Sequence, residues 1–152
     1  MNSPLSRRQA LRRAVNLVNG TTAAGLLAAR LGKVPVRQGP EGLLLGGGWT
    51  LPLPHAAAFT LGNVILYRPP VAKAFDAGDS PLLRHEARHS SQYAVLGLAF
   101  LPLYFAAAGY SRLRTGDPAS SNIFEIRAGL TDGGYRPRPS SRRKASYGSF
   151  RR

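Results

Sequence analysis

The stretch SPLLRHEARHSSQYAVLG, which runs from Ser80 to Gly97, decides the predicted fold because it has the pattern of one well-delimited helix. Ser80 is a good N-cap residue, and Pro81 suits the first helical position, where its missing N–H has no intrahelical partner. Gly97 is a residue type at which helices commonly end. The sequence therefore predicts a helix over residues 80–96.

The central motif of this helix is HEARH, with histidines at positions 85 and 89. Residues four apart lie on the same helix face, so His85 and His89 can bind one cation together. The chain has no cysteine, so any transition metal must be held by imidazole and carboxylate groups. The pattern predicts a divalent metal site with Zn2+ as the expected ion, and Glu86 as the base that takes a proton from water.

A catalytic zinc site needs a third protein ligand. The acidic residues after His89 are Asp117, Glu125 and Asp132. Both aspartates lie beside Gly or Pro and have ordinary turn roles. Glu125 lies in the apolar segment NIFEIRAG, where an unpaired buried carboxylate would be costly. It is therefore the preferred third ligand, and the alternative is an ion pair with Arg127 or another arginine.

The segments HEARHSSQYAVLG and NIFEIRAG resemble the gluzincin branch of zinc metallopeptidases, and also small bacterial HExxH proteins. The resemblance covers roughly residues 58–135. It implies a zincin-like fold in which His85, His89 and Glu125 bind zinc. It also implies that Glu86 is the catalytic base of peptide-bond hydrolysis.

The segment FTLGNVILY is rich in β-branched and aromatic residues and predicts one strand. The resemblance implies that this strand is the sheet edge along which a peptide substrate lies. The expected substrate contacts are the alternate residues Phe59, Leu61, Asn63 and Ile65. The candidates for stabilising the oxyanion, which are not ranked, are His55, Tyr104 and Tyr135.

The remaining patterns predict an α+β fold with a small antiparallel sheet. We expect a single domain over residues 1–135, since 152 residues is the size of one ordinary domain. Its other expected elements are an N-terminal helix over 5–31, strands within 33–67, an apolar helix over 98–114 and a glutamate-bearing helix over 120–129.

Basic residues outnumber acidic ones by 21 to 7, and the formal charge is +14. Such a chain is attracted to polyanions, so RNA or a ribosome is the alternative partner to a peptide. The C-terminal segment 136–152 contains no acidic residue, and we expect it to be disordered. Its candidate nucleic-acid contacts are Arg136, Arg138, Arg142, Arg143, Lys144, Arg151 and Arg152.

Residues 93–110 have no formal charge. Because Gly97 and Pro102 interrupt them, a buried core helix is expected rather than a membrane span. Arg112 and Arg114 follow this segment, so peripheral membrane contact is left open. The N-terminal residues have the pattern of an amphipathic helix rather than of an export signal, and we expect a cytoplasmic protein.

Overall fold

The computed structural model describes residues 4–140. These residues divide into two compact units, one up to Leu98 and one from Ala99 onward. The first unit contains α1 (Arg7–Val18), α2 (Thr21–Leu31), β1 (Val36–Gln38), β2 (Leu44–Gly47), β3 (Ala58–Leu61), β4 (Val64–Tyr67), α3 (Ala72–Asp76) and α4 (Pro81–Leu96). The second unit contains α5 (Phe100–Thr115) and α6 (Ile123–Ala128).

The four strands form one sheet in the order β1-β2-β4-β3. β1 pairs antiparallel with β2, and β3 pairs antiparallel with β4, but β2 and β4 run parallel. The predicted α+β class is therefore confirmed, whereas the predicted antiparallel sheet is wrong because the sheet is mixed. The parallel pair arises because the chain leaves β2, adds β3 at the far edge and returns as β4 between them.

The prediction of one continuous strand in FTLGNVILY is also wrong. The chain turns at Gly62 and Asn63, which join β3 to β4 as a hairpin. Gly62 has a φ of 60°, a left-handed conformation that favours glycine. A Cβ atom at this position would lie 2.4 Å from the amide nitrogen of Thr22. The turn thus depends on a close approach of two backbone segments that only glycine permits.

Helices cover both faces of the sheet within the first unit. All four residues of β4 are buried, and they alternate between two apolar clusters. Val64 and Leu66 pack with Ala29 of α2 on one face. Ile65 and Tyr67 pack on the other face with residues of α3 and α4, including Phe75, Leu83 and Ala87. Because successive strand residues point to opposite faces, β4 is the centre of a helix–sheet–helix sandwich.

The predicted N-terminal helix over 5–31 is two helices in the structure. Gly20 separates α1 from α2 and has a φ of 79°. The side chain of Ser6 caps α1 by accepting a hydrogen bond from the Gln9 backbone amide. In return, the Gln9 side-chain oxygen accepts a hydrogen bond from the Ser6 backbone amide. This capping box satisfies two donors at the helix start.

In the second unit, α5 packs against α6 through aromatic side chains. The ring centroids of Phe100 and Phe124 are 5.1 Å apart in an edge-to-face arrangement. The hydroxyl of Ser111 donates to the carbonyl of Asp117, and the amide of Ser121 donates to the Ser111 hydroxyl. These contacts fasten one side of α5 to the chain that follows it.

The expectation that α5 is a buried core helix is wrong. Phe100 and Ser111 are its buried residues, and Pro102 lies in its first turn without interrupting it. Among the described residues, one helical stretch, Pro81–Thr115, is long and apolar enough to cross a membrane by length and composition. Only 11% of its most apolar window is buried, whereas the core helix of a soluble protein is mostly buried.

Candidate metal centre

Helix α4 begins and ends where its sequence predicts. The Ser80 hydroxyl oxygen accepts a hydrogen bond from the Leu83 amide at 3.1 Å, which fixes the first turn. Gly97 ends the helix with a φ of 60°. The buried side of α4 consists of Leu83, His85, Glu86, Ala87, His89, Ser90 and Tyr93. Four of these residues are polar or charged, a composition that packing alone does not explain.

The two histidines converge at their Nε2 atoms. Nε2 of His85 lies 3.1 Å from Nε2 of His89, and the two rings are nearly perpendicular, at 88°. Two nitrogens bound to one tetrahedral zinc, each at about 2.0–2.1 Å, would be about 3.3 Å apart. The observed separation is within a few tenths of an ångström of that value. The pair therefore fits two adjacent corners of a zinc coordination sphere.

A hydrogen bond sets the tautomer of His89. Its Nδ1 lies 2.8 Å from Oε1 of Gln92, one helical turn away. Because a carboxamide oxygen only accepts, Nδ1 is the donor, and the lone pair of the neutral ring is on Nε2. Nε2 is the atom that faces His85. A polar neighbour that holds the other ring nitrogen is the usual companion of a metal-binding histidine.

Glu86 is held on the side of α4 that faces β3. The hydroxyl of Thr60 donates to Oε2 of Glu86 at 2.6 Å, and both residues are buried. Burial raises the pKa of Tyr93 well above its ordinary value, and the charge of the nearby Glu86 carboxylate raises it further. Tyr93 therefore stays protonated at any physiological pH, so it adds no second negative charge next to Glu86.

A buried amide network holds the turn of α4 that carries His89. The Asn16 side-chain amide donates to the carbonyl of Ser90 and to Oδ1 of Asn63, both at 2.9 Å. The Ser90 hydroxyl donates to the same Asn63 oxygen at 3.2 Å. The Asn63 amide donates to Thr22 and to the Arg13 carbonyl. The network links α1, the β3–β4 turn and α4 next to the histidine pair.

Glu125 belongs to the second unit and is buried there in α6. The helix is capped by Asn122, whose side-chain oxygen accepts a hydrogen bond from the Phe124 amide at 3.0 Å. The hydroxyl of Tyr104 donates a short hydrogen bond to Oε1 of Glu125. Because the carboxylate is buried and accepts this hydrogen bond, its side chain is held in one orientation.

The three predicted ligands are all buried, and His85, His89 and Glu125 are a set of side chains that could hold a metal ion. Each offers one donor atom, a ring nitrogen or a carboxylate oxygen. Imidazole suits several transition metals, so the donor types alone do not choose among them. Zinc therefore remains the expected ion.

The predicted substrate contacts lie in three different environments. Phe59 and Leu61 are on β3, which is an edge of the sheet. Asn63 lies in the hairpin turn and takes part in the buried amide network. Ile65 is fully buried in the inner strand β4. Asn63 and Ile65 therefore cannot line an edge strand, and they are withdrawn as substrate contacts.

The other candidate residues are placed as follows. His55 is exposed in the loop before β3, and Tyr104 contacts Glu125 as its hydrogen-bond donor. Tyr135 follows α6 outside any helix or strand. Arg136 and Arg138 are exposed in the C-terminal segment. The remaining predicted nucleic-acid contacts, Arg142, Arg143, Lys144, Arg151 and Arg152, lie outside the described residues.

Two contacts of the site are absent from the sequence predictions. Gln92 is three residues after His89, and that helical spacing is a signal by which it could have been found. Thr60 is 26 residues from Glu86, and no local pattern connects the two. Comparison of the chain with protein-family models, with curated proteins and with solved structures gave no match.

Proposed function

We propose that this protein binds one zinc ion through His85, His89 and Glu125 and hydrolyses peptide bonds with Glu86 as the base. The observation that carries the proposal is the 3.1 Å separation of the two Nε2 atoms. Two buried imidazoles whose ring nitrogens lie this close can occupy adjacent coordination positions of one cation.

Glu125 is proposed as the third ligand for two reasons. It is the only glutamate downstream of the histidines, and it is one of the three buried side chains that could hold an ion. Tyr104 already donates to one carboxylate oxygen, and this hydrogen bond would orient the other oxygen. Two histidines and one glutamate are a donor set found in zinc hydrolases that keep a fourth position open for water or substrate.

The chemistry divides between the ion and the chain. When bound, zinc supplies Lewis-acid polarisation of the scissile carbonyl and acidifies water. Glu86 accepts the proton of the attacking water and returns it to the leaving amine. The Thr60 hydrogen bond, at 2.6 Å, holds the Glu86 carboxylate in one position for both transfers. A base in this role must lie near the metal without binding it. Glu86 meets this requirement because it follows His85 directly and so lies next to the helix face that carries the two histidines.

The substrate proposal rests on β3. This strand is an edge of the sheet, and its Thr60 contacts Glu86 directly. An extended peptide that pairs with the free side of β3 would be aligned by main-chain hydrogen bonds. Phe59 and Leu61, both partly exposed, would then contact its side chains. An unstructured polypeptide segment is therefore the proposed substrate class.

The test measures cleavage of a fluorogenic unstructured polypeptide by zinc-loaded protein. Glu86→Gln preserves the shape but loses the base, so the rate should fall by a factor on the order of 10² or more while zinc content is unchanged. Asp79→Asn is the matched control, since it makes the same charge change at an exposed carboxylate beside the start of α4. Cleavage that survives Glu86→Gln, or that Asp79→Asn removes equally, contradicts the assignment of the base.

A further inference from the structure

Helix α5 is apolar on its exposed side. This is unusual, because its other side is already packed against residues of the same unit. The exposed apolar residues include Leu103 at 46%, Phe105 at 66%, Tyr110 at 53% and Leu113 at 88%. At 100° per residue, Leu103, Ala106, Tyr110 and Leu113 fall on one continuous face. The exposed surface is therefore an organised stripe and not a scatter of single side chains. We refer to these four residues, together with the exposed Phe105, as the α5 stripe.

The opposite side of α5 is accounted for within the second unit. Phe100 and Tyr104 contact Phe124, and Ser111 hydrogen-bonds the residues that follow the helix. Successive members of this set are four and seven residues apart, so they share one helix face, which is distinct from the face of the α5 stripe. The sequence is thus apolar around the whole helix, whereas packing covers only half of it. A helix of this kind requires a second apolar environment.

The residues at the end of α5 indicate what that environment is. Arg112 and Arg114 are in its last turn, and the Arg114 guanidinium carbon lies 5.8 Å from the centroid of the Tyr110 ring while its nitrogen donates to the Tyr110 hydroxyl. Tyrosine and arginine at the end of an apolar surface are typical of the boundary between lipid tails and headgroups. The chain as a whole has a formal charge of +14. That charge is complementary to an anionic leaflet and not to a neutral apolar partner.

We propose that the α5 stripe inserts into the surface of an anionic lipid bilayer, with Arg112 and Arg114 at the level of the headgroups. The helix lies in the interface and does not span it. Its 16 residues are about 24 Å long, which is shorter than the roughly 30 Å hydrocarbon core. One of its faces is also occupied by α6, so only the stripe is available to lipid. This inference does not depend on the metal site.

Vesicle flotation with the full-length protein tests the proposal. The protein should bind vesicles of phosphatidylcholine mixed with phosphatidylglycerol and bind pure phosphatidylcholine much more weakly. Leu113→Glu should lower the partition coefficient about tenfold or more, since it removes an apolar side chain from the inserted stripe and adds a charge to the apolar layer. Val18→Glu is the matched control: Val18 is 89% exposed, against 88% for Leu113, and the charge change is the same.

A fluorescence measurement separates insertion from adsorption through basic segments elsewhere in the chain. Leu113→Trp should shift its emission to shorter wavelength when anionic vesicles are added, and Val18→Trp should not. The natural Trp49 is buried and gives a constant background. Equal losses for Leu113→Glu and Val18→Glu, an unshifted Leu113→Trp spectrum, or sedimentation as a dimer that Leu113→Glu dissociates would each overturn the proposal. The last result would assign the stripe to a second copy of the chain.

Discussion

Helices α4 and α5 each have 16 residues, and they show opposite relations between polarity and burial. In α4, charged and polar side chains such as His85, Glu86 and His89 are buried. In α5, leucine, phenylalanine and tyrosine side chains are exposed. Hydropathy alone would assign α5 to the core and α4 to the surface.

The comparison teaches that hydropathy alone does not determine which side chains are buried in this protein. The buried polar groups of α4 are paired with one another or with specific partners, such as Thr60 and Gln92. Such groups are costly to bury, and the metal proposal gives them a role. The exposed apolar groups of α5 have no core to join on that side, and the bilayer proposal gives them an environment.

The largest expected difference in folding stability separates Leu83 of α4 from Leu113 of α5. Leu83→Ala removes a buried side chain from the core and should lower the free energy of unfolding by about 2–4 kcal/mol. Leu113→Ala should change it by less than about 0.5 kcal/mol, because this side chain is almost fully exposed. Urea unfolding of both variants measures the difference. Equal costs would mean that the α5 stripe is part of a core.

A smaller loss of folding stability is expected when the buried amide network next to His89 is disrupted. Asn16→Ala removes the donor to Ser90 and Asn63 and leaves buried acceptors without it, which should cost about 2 kcal/mol. Leu17→Ala, at the exposed neighbouring position, is the control and should be nearly neutral. The same urea experiment decides, and a neutral Asn16→Ala would show that α4 is positioned by apolar packing alone.

Thr60→Val should have a smaller effect on folding and a specific effect on the site. It removes one hydrogen bond to the buried Glu86 carboxylate, worth about 1–2 kcal/mol of unfolding free energy. If Glu86 is the base, kcat should fall with little change in KM, because the carboxylate loses its fixed direction. Steady-state kinetics with the fluorogenic polypeptide measure this division. A rise in KM at unchanged kcat would instead assign Thr60 to substrate binding.

The weakest expected effect concerns the basic segment 136–152. If its arginines contact RNA phosphates, the affinity should fall with salt by a log–log slope of about −0.7 per phosphate contact on single strands. Truncation after Tyr135 should flatten that slope and leave zinc content unchanged. Salt titrations of both forms against structured RNA provide the measurement. Equal slopes would remove the RNA prediction and leave the bilayer as the proposed polyanionic partner.

Local patterns were sufficient for α4 and its motif. Ser80, Pro81 and Gly97 predicted its ends, because capping depends on the residues at the helix termini. The pattern FTLGNVILY predicts one strand, and this prediction is wrong because Gly62-Asn63 is a dipeptide that favours a two-residue hairpin turn. That error assigned Asn63 and Ile65 to a substrate edge.

The remaining features are set by contacts between distant parts of the chain. The parallel pairing of β2 with β4 depends on where β3 is added, which no window of sequence contains. The contact between Thr60 and Glu86 is non-local in the same way. The exposure of α5 was not predictable because a helix that is apolar all round has no polar face to indicate its solvent side.

Elemental analysis of metal in the purified full-length protein tests the central claim most directly. Protein prepared without chelator and supplied with zinc should contain close to one zinc per chain. His85→Ala, His89→Ala and Glu125→Ala should each reduce tight binding by a factor on the order of 10² or more, because each removes one of three ligands. His55→Ala, which alters an exposed histidine, should retain full occupancy. A folded wild-type protein that takes up no metal, or one whose metal survives both His85→Ala and His89→Ala, would contradict the account.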